Sequence, residues 1–152
     1  MLALAALRRD SSLNVVVLVA TFTEEDDRPS AHRIRRPLLE AQAASLRCSL
    51  ELVHIPNDTS NVMCEEWMNR TVEKLRDAGV EAIATCDLHL EAIRARREAW
   101  LARLGLRALF PLWGRPPTEL VHGFVAAGYR ATIICIDHER LPEGAIGRAM
   151  DH

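Results

Sequence analysis

Lysine is nearly absent from this sequence, since Lys74 is the only lysine among 19 basic residues. Glycine-rich phosphate loops are absent too: neither G-x-G-x-x-G nor G-x-x-x-x-G-K-[ST] occurs, which excludes the common dinucleotide and P-loop motifs. No apolar run approaches the roughly 18–20 residues that a membrane-spanning helix needs. The apolar start at residues 1–7 is too short for a signal peptide and has no basic residues before it. We therefore expect a cytoplasmic protein with no membrane partner.

A strong charge of either sign is also missing. The 19 basic and 21 acidic side chains give a net charge of −2, which argues against nucleic acid as the main partner. The four cysteines form no C-x-x-C pair, so we expect reduced, buried thiols and no disulfide framework or structural zinc site. The six histidines show no metal-ligand spacing.

The composition is that of one soluble globular domain spanning residues 1–152, with 49% hydrophobic side chains. Apolar runs predict five strands, the first and last being the strongest: residues 15–20, 50–55, 80–85, 107–110 and 131–136. Apolar stripes predict four helices between them: residues 37–46, 62–78, 88–104 and 118–127. The stripes place the following residues among the inward-facing side chains: Leu38, Trp67, Leu90, Trp100 and Leu101. This alternation predicts an α/β fold, a Rossmann-like parallel sheet with helices on both faces.

The candidate site lies in the segments that follow the strands, because open α/β sheets bind ligands beyond the carboxyl ends of their strands. Asp87 follows the third strand and precedes a helix. Its carboxylate would either cap the helix amides or reach a ligand, directly or through Mg²⁺. Four charged residues of that helix are spaced three and four apart: Glu91, Arg94, Arg97 and Glu98. Such a set is either a solvated, ion-paired face or a contact to an anionic ligand.

Two other segments could take part in ligand binding. The polar segment 21–36 contains His32 and several arginines, Arg35 among them, and would either receive phosphate oxygens or form a flexible basic loop. Trp113, after the fourth strand, would stack on a base, close a pocket or pack in the core. No Ser-His-Asp or Cys-His arrangement can be assembled, so no catalytic residue is assigned. The residues alone predict an α/β ligand-binding domain and no particular reaction.

Four segments, in chain order, resemble the diphthine–ammonia ligase family. These enzymes are N-type ATP pyrophosphatases within the adenine nucleotide alpha hydrolase-like domains. The first two segments are His32-x-x-Arg35 followed by Leu39, Gln42 and Ala43, and Val53-His54-Ile55-Pro56 followed by Glu65. The third is Gly79-Val80 followed by Asp87, Leu90, Glu91, Arg94, Arg97 and Glu98. The fourth is Phe110-Pro111-Leu112-Trp113 followed by Leu120, Gly128, Leu141, Gly147-Arg148 and Asp151. Together they span nearly the whole chain.

The resemblance implies an ATP-dependent, amide-forming reaction. A substrate carboxylate would be adenylated with release of pyrophosphate, and ammonia would then form the amide, as in the last step of diphthamide synthesis. The implied cofactors are ATP and Mg²⁺, and the implied partners are ammonia and a small-molecule or protein carboxylate. Asp87 would contact the metal or nucleotide, and three residues would line the nucleotide or substrate pocket: His32, Arg35 and Gln42. The residues Glu91, Arg94, Arg97 and Trp113 would complete the binding site, the last three on the acceptor side.

The sequence also departs from the family pattern. It has no S-G-G-K-D-S phosphate loop, and it stops before the family's G-E-x-G-E-[FY]-H-T segment. Thr85-Cys86 replaces the usual Phe-Gly, and Cys64 stands where Tyr is usual. The strand before the phosphate loop would be central, so we expect a chain incomplete at both ends, with exposed strand edges and an impaired ligase. The alternatives are a shortened relative that closes its sheet differently and a homodimer that pairs those edges.

Two other functions stay open at this point. A non-catalytic module would keep the nucleotide or substrate pocket without turnover, which the missing phosphate loop favours. A doubly wound domain whose loops only make oligomer contacts is the third interpretation. Pyrophosphate release from ATP distinguishes an enzyme from both.

Overall fold

Helices and strands alternate along the chain in a computed structural model that describes residues 1–23, 28–29, 34–56 and 61–150. The first half contains α1 (Leu2–Leu7), β1 (Val17–Thr23), β2 (Arg28–Pro29), α2 (Arg36–Ser45), β3 (Ser49–Ile55) and α3 (Asn61–Asp77). The second half contains β4 (Ala82–Ala84), α4 (Glu91–Arg103), β5 (Arg107–Leu109), α5 (Pro117–Ala126) and a 3₁₀ turn at Glu143–Ala145. All four predicted helices are present, with ends shifted by one to three residues. No helix among these residues has the length and apolar character needed to cross a membrane.

The strands form two separate sheets. β1 pairs in parallel with β3 along its whole length, from Val17 opposite Ser49 to Thr23 opposite Ile55. The short β2 adds an antiparallel edge at the end of β1, giving the order β2-β1-β3. β4 pairs in parallel with β5, from Ala82 opposite Arg107 to Ala84 opposite Leu109. The fold is therefore mixed α/β with parallel strand pairs, and the described residues form no single continuous Rossmann-like sheet.

The predicted strand at residues 131–136 is wrong. This run makes one isolated antiparallel bridge, between Thr132 and Ala149, and Ile134 is 64% exposed. Ile133 instead exchanges backbone hydrogen bonds with the returning chain, donating to Arg148 O at 2.9 Å and accepting from Gly147 N at 2.8 Å. An apolar, β-branched run becomes a sheet strand only where a sheet edge receives it, and here the chain folds back on itself.

The largest core cluster joins α3 and α4 to Leu106, the residue just before β5. It consists of Val72, Trp100, Leu101 and Leu106, with Met68 and Ile83 packed against them. A second cluster joins α1 to α5 through the turn after β5, with Ala3, Leu112 and Leu120 buried. Helical spacing correctly predicted the burial of Trp100 and Leu101.

Several predictions of burial are wrong at the edges of the apolar stripes. Leu38, Trp67 and Leu90 are 50%, 49% and 52% exposed. Leu38 is exposed because α2 turns another face, the one that carries Ala43, toward the core. β1 is not fully buried either, because residues 17–21 are partly exposed and only Phe22 is completely buried among the strand residues with described side chains. The thiols of Cys86 and Cys135 are exposed, which contradicts the prediction of buried cysteines.

The turn after α1 carries an acidic group with a perturbed pKa. The Ser12 hydroxyl and amide both donate to Asp10 Oδ1, at 2.6 and 2.9 Å, and hold the pKa of that carboxyl below its ordinary value. Because the folded pKa is the lower one, the stabilisation is present above the unfolded pKa and is lost as pH falls through the folded pKa. An NMR titration of the Asp10 carboxyl should show Ser12→Ala raising its pKa toward the ordinary value. An unchanged pKa in that variant would contradict the hydrogen-bonding explanation.

Candidate functional site

The segments that follow β4 and β5 are tied together at the carboxyl ends of these strands. The Thr85 amide donates to Leu109 O at 2.9 Å, and the Gly114 amide donates to Leu88 O at 2.8 Å. Gly114 closes the turn after β5 with a φ of +73°, a left-handed conformation that glycine adopts without strain. These bonds place the loop around Asp87 beside the turn that carries Trp113.

Asp87 is engaged by a side chain of α4. Arg97 Nε donates to Asp87 Oδ2 at 3.0 Å, and the two side chains are 30% and 18% exposed. The capping interpretation of Asp87 is wrong, because α4 begins at Glu91 and its N-cap residue, Leu90, makes no side-chain cap bond. The three residues that separate Asp87 from the helix let its carboxylate reach the second turn instead of the first amides. Asp87 therefore positions Arg97.

Arg94 lies over two aromatic rings of the turn after β5. Its guanidinium carbon is 5.0 Å from the Phe110 ring centroid and 4.7 Å from that of Trp113. The two rings form an edge-to-face pair, with centroids 5.9 Å apart and an interplanar angle of 69°. Arg94 Nε also donates to Glu98 Oε1 at 2.8 Å, so the predicted ion-paired face is confirmed for this pair. Trp113 is only half-buried and is covered by a cation.

We name Asp87, Arg94, Arg97, Phe110 and Trp113 the α4 cluster. A buried hydroxyl lies next to it in sequence, since Thr85 Oγ1 is inaccessible and has no hydrogen-bond partner in the described part of the chain. A buried hydroxyl without a hydrogen-bond partner lowers the stability of the fold by on the order of 1–3 kcal/mol.

The other predicted site residues are not brought into the α4 cluster. Glu91 is exposed at the first residue of α4, and it has no ion-pair partner among the described residues. Arg35 is exposed and caps α2 only through its carbonyl, which accepts from the Leu38 and Leu39 amides. Gln42 lines a separate cavity of about 380 Å³ between α2 and α5. His32 lies outside the described residues.

Sequence reasoning missed the role of Phe110 in holding Arg94. Phe110 precedes Trp113 by three residues, a spacing that places two rings in one turn. An ion pair between α3 and α4 lies on another side of the helix. There, Arg96 Nε and the buried Glu65 Oε1 are 2.9 Å apart but lack hydrogen-bond alignment.

The α4 cluster contains no ready-made metal centre. Over residues 1–23, 28–29, 34–56 and 61–150, no three His, Cys, Asp or Glu side chains are grouped closely enough to hold an ion. Asp87 is the only carboxylate of the cluster, and a guanidinium occupies one of its oxygens.

Comparison with known proteins does not supply a family for this site. Neither a protein-family model nor a curated protein sequence matches the chain.

Proposed function

We propose that this chain is the ligand-binding domain of an ATP-dependent, amide-forming ligase of the diphthine–ammonia ligase type. The observation that carries the proposal is the convergence of Asp87, Arg97 and Trp113 at the carboxyl ends of the parallel strands β4 and β5. Ligands of open α/β sheets bind at this edge.

The arrangement of the strands supports a Rossmann-like sheet as part of this proposal. The parallel pairs β1–β3 and β4–β5 would be the two halves of one Rossmann-like sheet. In such a sheet the carboxyl ends of all strands meet at one edge, which would bring the segments around Arg35 and Asp87 toward the same ligand.

The α4 cluster can orient a ligand, but it does not complete a metal site. Mg²⁺ at nucleotide sites is commonly bound by one or two carboxylates together with phosphate oxygens. The carboxylate of Asp87 is already paired with Arg97, so the cluster fits Mg²⁺ only poorly. We therefore assign these residues to binding and orienting the ligand. Trp113 would hold the ligand body, while Arg94 and the Asp87–Arg97 pair would fix its polar end.

Pyrophosphate release from ATP tests the ligase activity. The purified chain is incubated with ATP, Mg²⁺, ammonium and a panel of carboxylates, and we expect release that depends on one carboxylate. Asp87→Asn should abolish that release because Arg97 loses its ionic partner at the site. Asp77→Asn is the matched control, since Asp77 is exposed at the end of α3 and pairs with its neighbour Arg76. Near-normal release by Asp87→Asn would overturn the role of Asp87.

A second candidate is a binding module without turnover. It is favoured by the neutralisation of Asp87 by Arg97 and by the lack of a grouped metal-ligand set among the described residues. Nucleotide or carboxylate binding with no pyrophosphate release for any carboxylate would support this module over the ligase.

A further inference from the structure

We propose that Arg94 and Arg97 together bind an oxyanion of the ligand, a carboxylate or a phosphate, beside the ring of Trp113. This inference rests on the proposed ligand site at the β4–β5 edge, but it does not require turnover.

Both arginines use Nε, which carries a single N–H, to contact their carboxylate partners. Glu98 accepts from Nε of Arg94 at 2.8 Å, and Asp87 accepts from Nε of Arg97 at 3.0 Å. A guanidinium has five N–H donors, four of them on its terminal nitrogens. In the described part of the chain, those terminal nitrogens donate no hydrogen bond. Each arginine therefore keeps the pair of donors that matches a carboxylate or phosphate.

The two arginines also share one face of α4, which would let them meet a single ligand. Arg94 and Arg97 are three residues apart on α4, so they leave the helix on the same face. Their side chains are 34% and 30% exposed, which keeps them accessible while limiting competition from water. Contact with Phe110 and Trp113 covers one face of Arg94 and restricts its motion, and such preorganisation reduces the entropy lost on binding.

The charges around the site predict moderate affinity for an anion, set by the positions of the hydrogen-bond donors more than by net charge. The carboxylates of Asp87 and Glu98 offset the two positive charges, so an anion gains little from net charge alone. Glu91 stands three residues before Arg94 on the same helix, is exposed and lacks an ion-pair partner among the described residues. Its negative charge would repel an incoming anion, so Glu91→Gln should strengthen binding.

Calorimetric titration tests the proposal with four probes: AMP, adenosine, inorganic phosphate and glutarate. We expect the wild type to bind at least one of the three anionic probes. Arg94→Gln and Arg97→Gln should each raise the dissociation constant about 10-fold or more, because hydrogen bonds to charged groups are lost. Arg94→Lys should restore little of the affinity lost in Arg94→Gln, because the lysine ammonium cannot make the two-point contact of a guanidinium. Adenosine affinity should not change in the Arg97 variant.

Arg103→Gln is the matched control, because Arg103 ends the same helix, is exposed and has the same charge. The double variant Asp87→Asn/Arg97→Gln keeps the site neutral and should bind as weakly as Arg97→Gln alone. Thermal unfolding of each variant identifies any that fail to fold. Competition by phosphate but not glutarate would identify a phosphate ligand, and the reverse would identify a carboxylate ligand; both support the shared chemistry.

Three results would overturn the proposal: no anionic probe binding to the wild type at millimolar concentration, unchanged affinity in the folded Arg94 and Arg97 variants, or an equal loss in Arg103→Gln. Because binding is measured without turnover, these results are distinct from a failure of pyrophosphate release. Pyrophosphate release by the wild type, together with unchanged anion affinity in the folded Arg94 and Arg97 variants, would leave the ligase proposal standing and remove only the oxyanion site.

Discussion

Replacement of Trp100 by alanine is expected to lower the free energy of unfolding by about 3–5 kcal/mol. Trp100 is 2% exposed and lies in the cluster with Val72 and Leu101, where α4 packs against α3. Its indole Nε1 also donates to Asn69 Oδ1 at 2.7 Å, a bond between the same two helices. The substitution therefore creates a cavity and leaves the Asn69 amide oxygen without its donor.

Urea unfolding followed by circular dichroism measures this effect. Trp67→Ala is the matched control, because Trp67 is 49% exposed on α3 and should change stability by less than about 1 kcal/mol. Trp100→Phe retains most of the ring volume and removes only the indole donor, so it should cost about 1–3 kcal/mol. Equal, small effects of the Trp100 and Trp67 alanine variants would show that the α3–α4 packing is wrong.

The Asp87–Arg97 pair should show an energetic coupling of about 1–2 kcal/mol in a double-mutant cycle. Exposed pairs contribute about 0–1 kcal/mol, and removing one partner of a buried pair costs about 3–5 kcal/mol. With side chains 18% and 30% exposed, this pair lies between those limits. Asp87→Ala, Arg97→Met and the double variant are compared by urea unfolding.

The exposed pair between Lys74 and Glu51 is the control for that cycle. Its atoms are 3.3 Å apart, but the lysine side chain is 73% exposed, so its coupling should be close to zero. A coupling at Asp87–Arg97 no larger than this control would show that the loop does not hold Arg97 in place.

The helices could be predicted from the sequence because their signals are local. Apolar spacing placed α3 and α4 within three residues, and Arg94 and Glu98 pair at the i, i+4 spacing that marks a helix face. The wrong predictions concern segments whose structure is set by partners distant in the sequence. The run at 131–136 has strong strand character but pairs with residues 147–150, a choice that no local pattern encodes.

The α4 cluster was predicted only in part for the same reason. Asp87 and Arg97 are ten residues apart, and a loop of unknown path separates the carboxylate from the helix. Sequence position favoured a helix cap, whereas the folded loop brings the carboxylate to the second turn. The position of Arg94 over the Trp113 ring could not be predicted, because it is a tertiary contact.

A titration of the ¹⁵N-labelled protein with AMP, followed by two-dimensional NMR, tests most directly whether ligand binds at the carboxyl ends of β4 and β5. We predict shift changes for the amides of residues 85–88, 110 and 112–114 and for the Nε–H group of Arg94. The amides of Gln42 and Phe124, which line the separate cavity between α2 and α5, should not move. Changes confined to that cavity, or no changes at millimolar AMP, would contradict a nucleotide site at this edge.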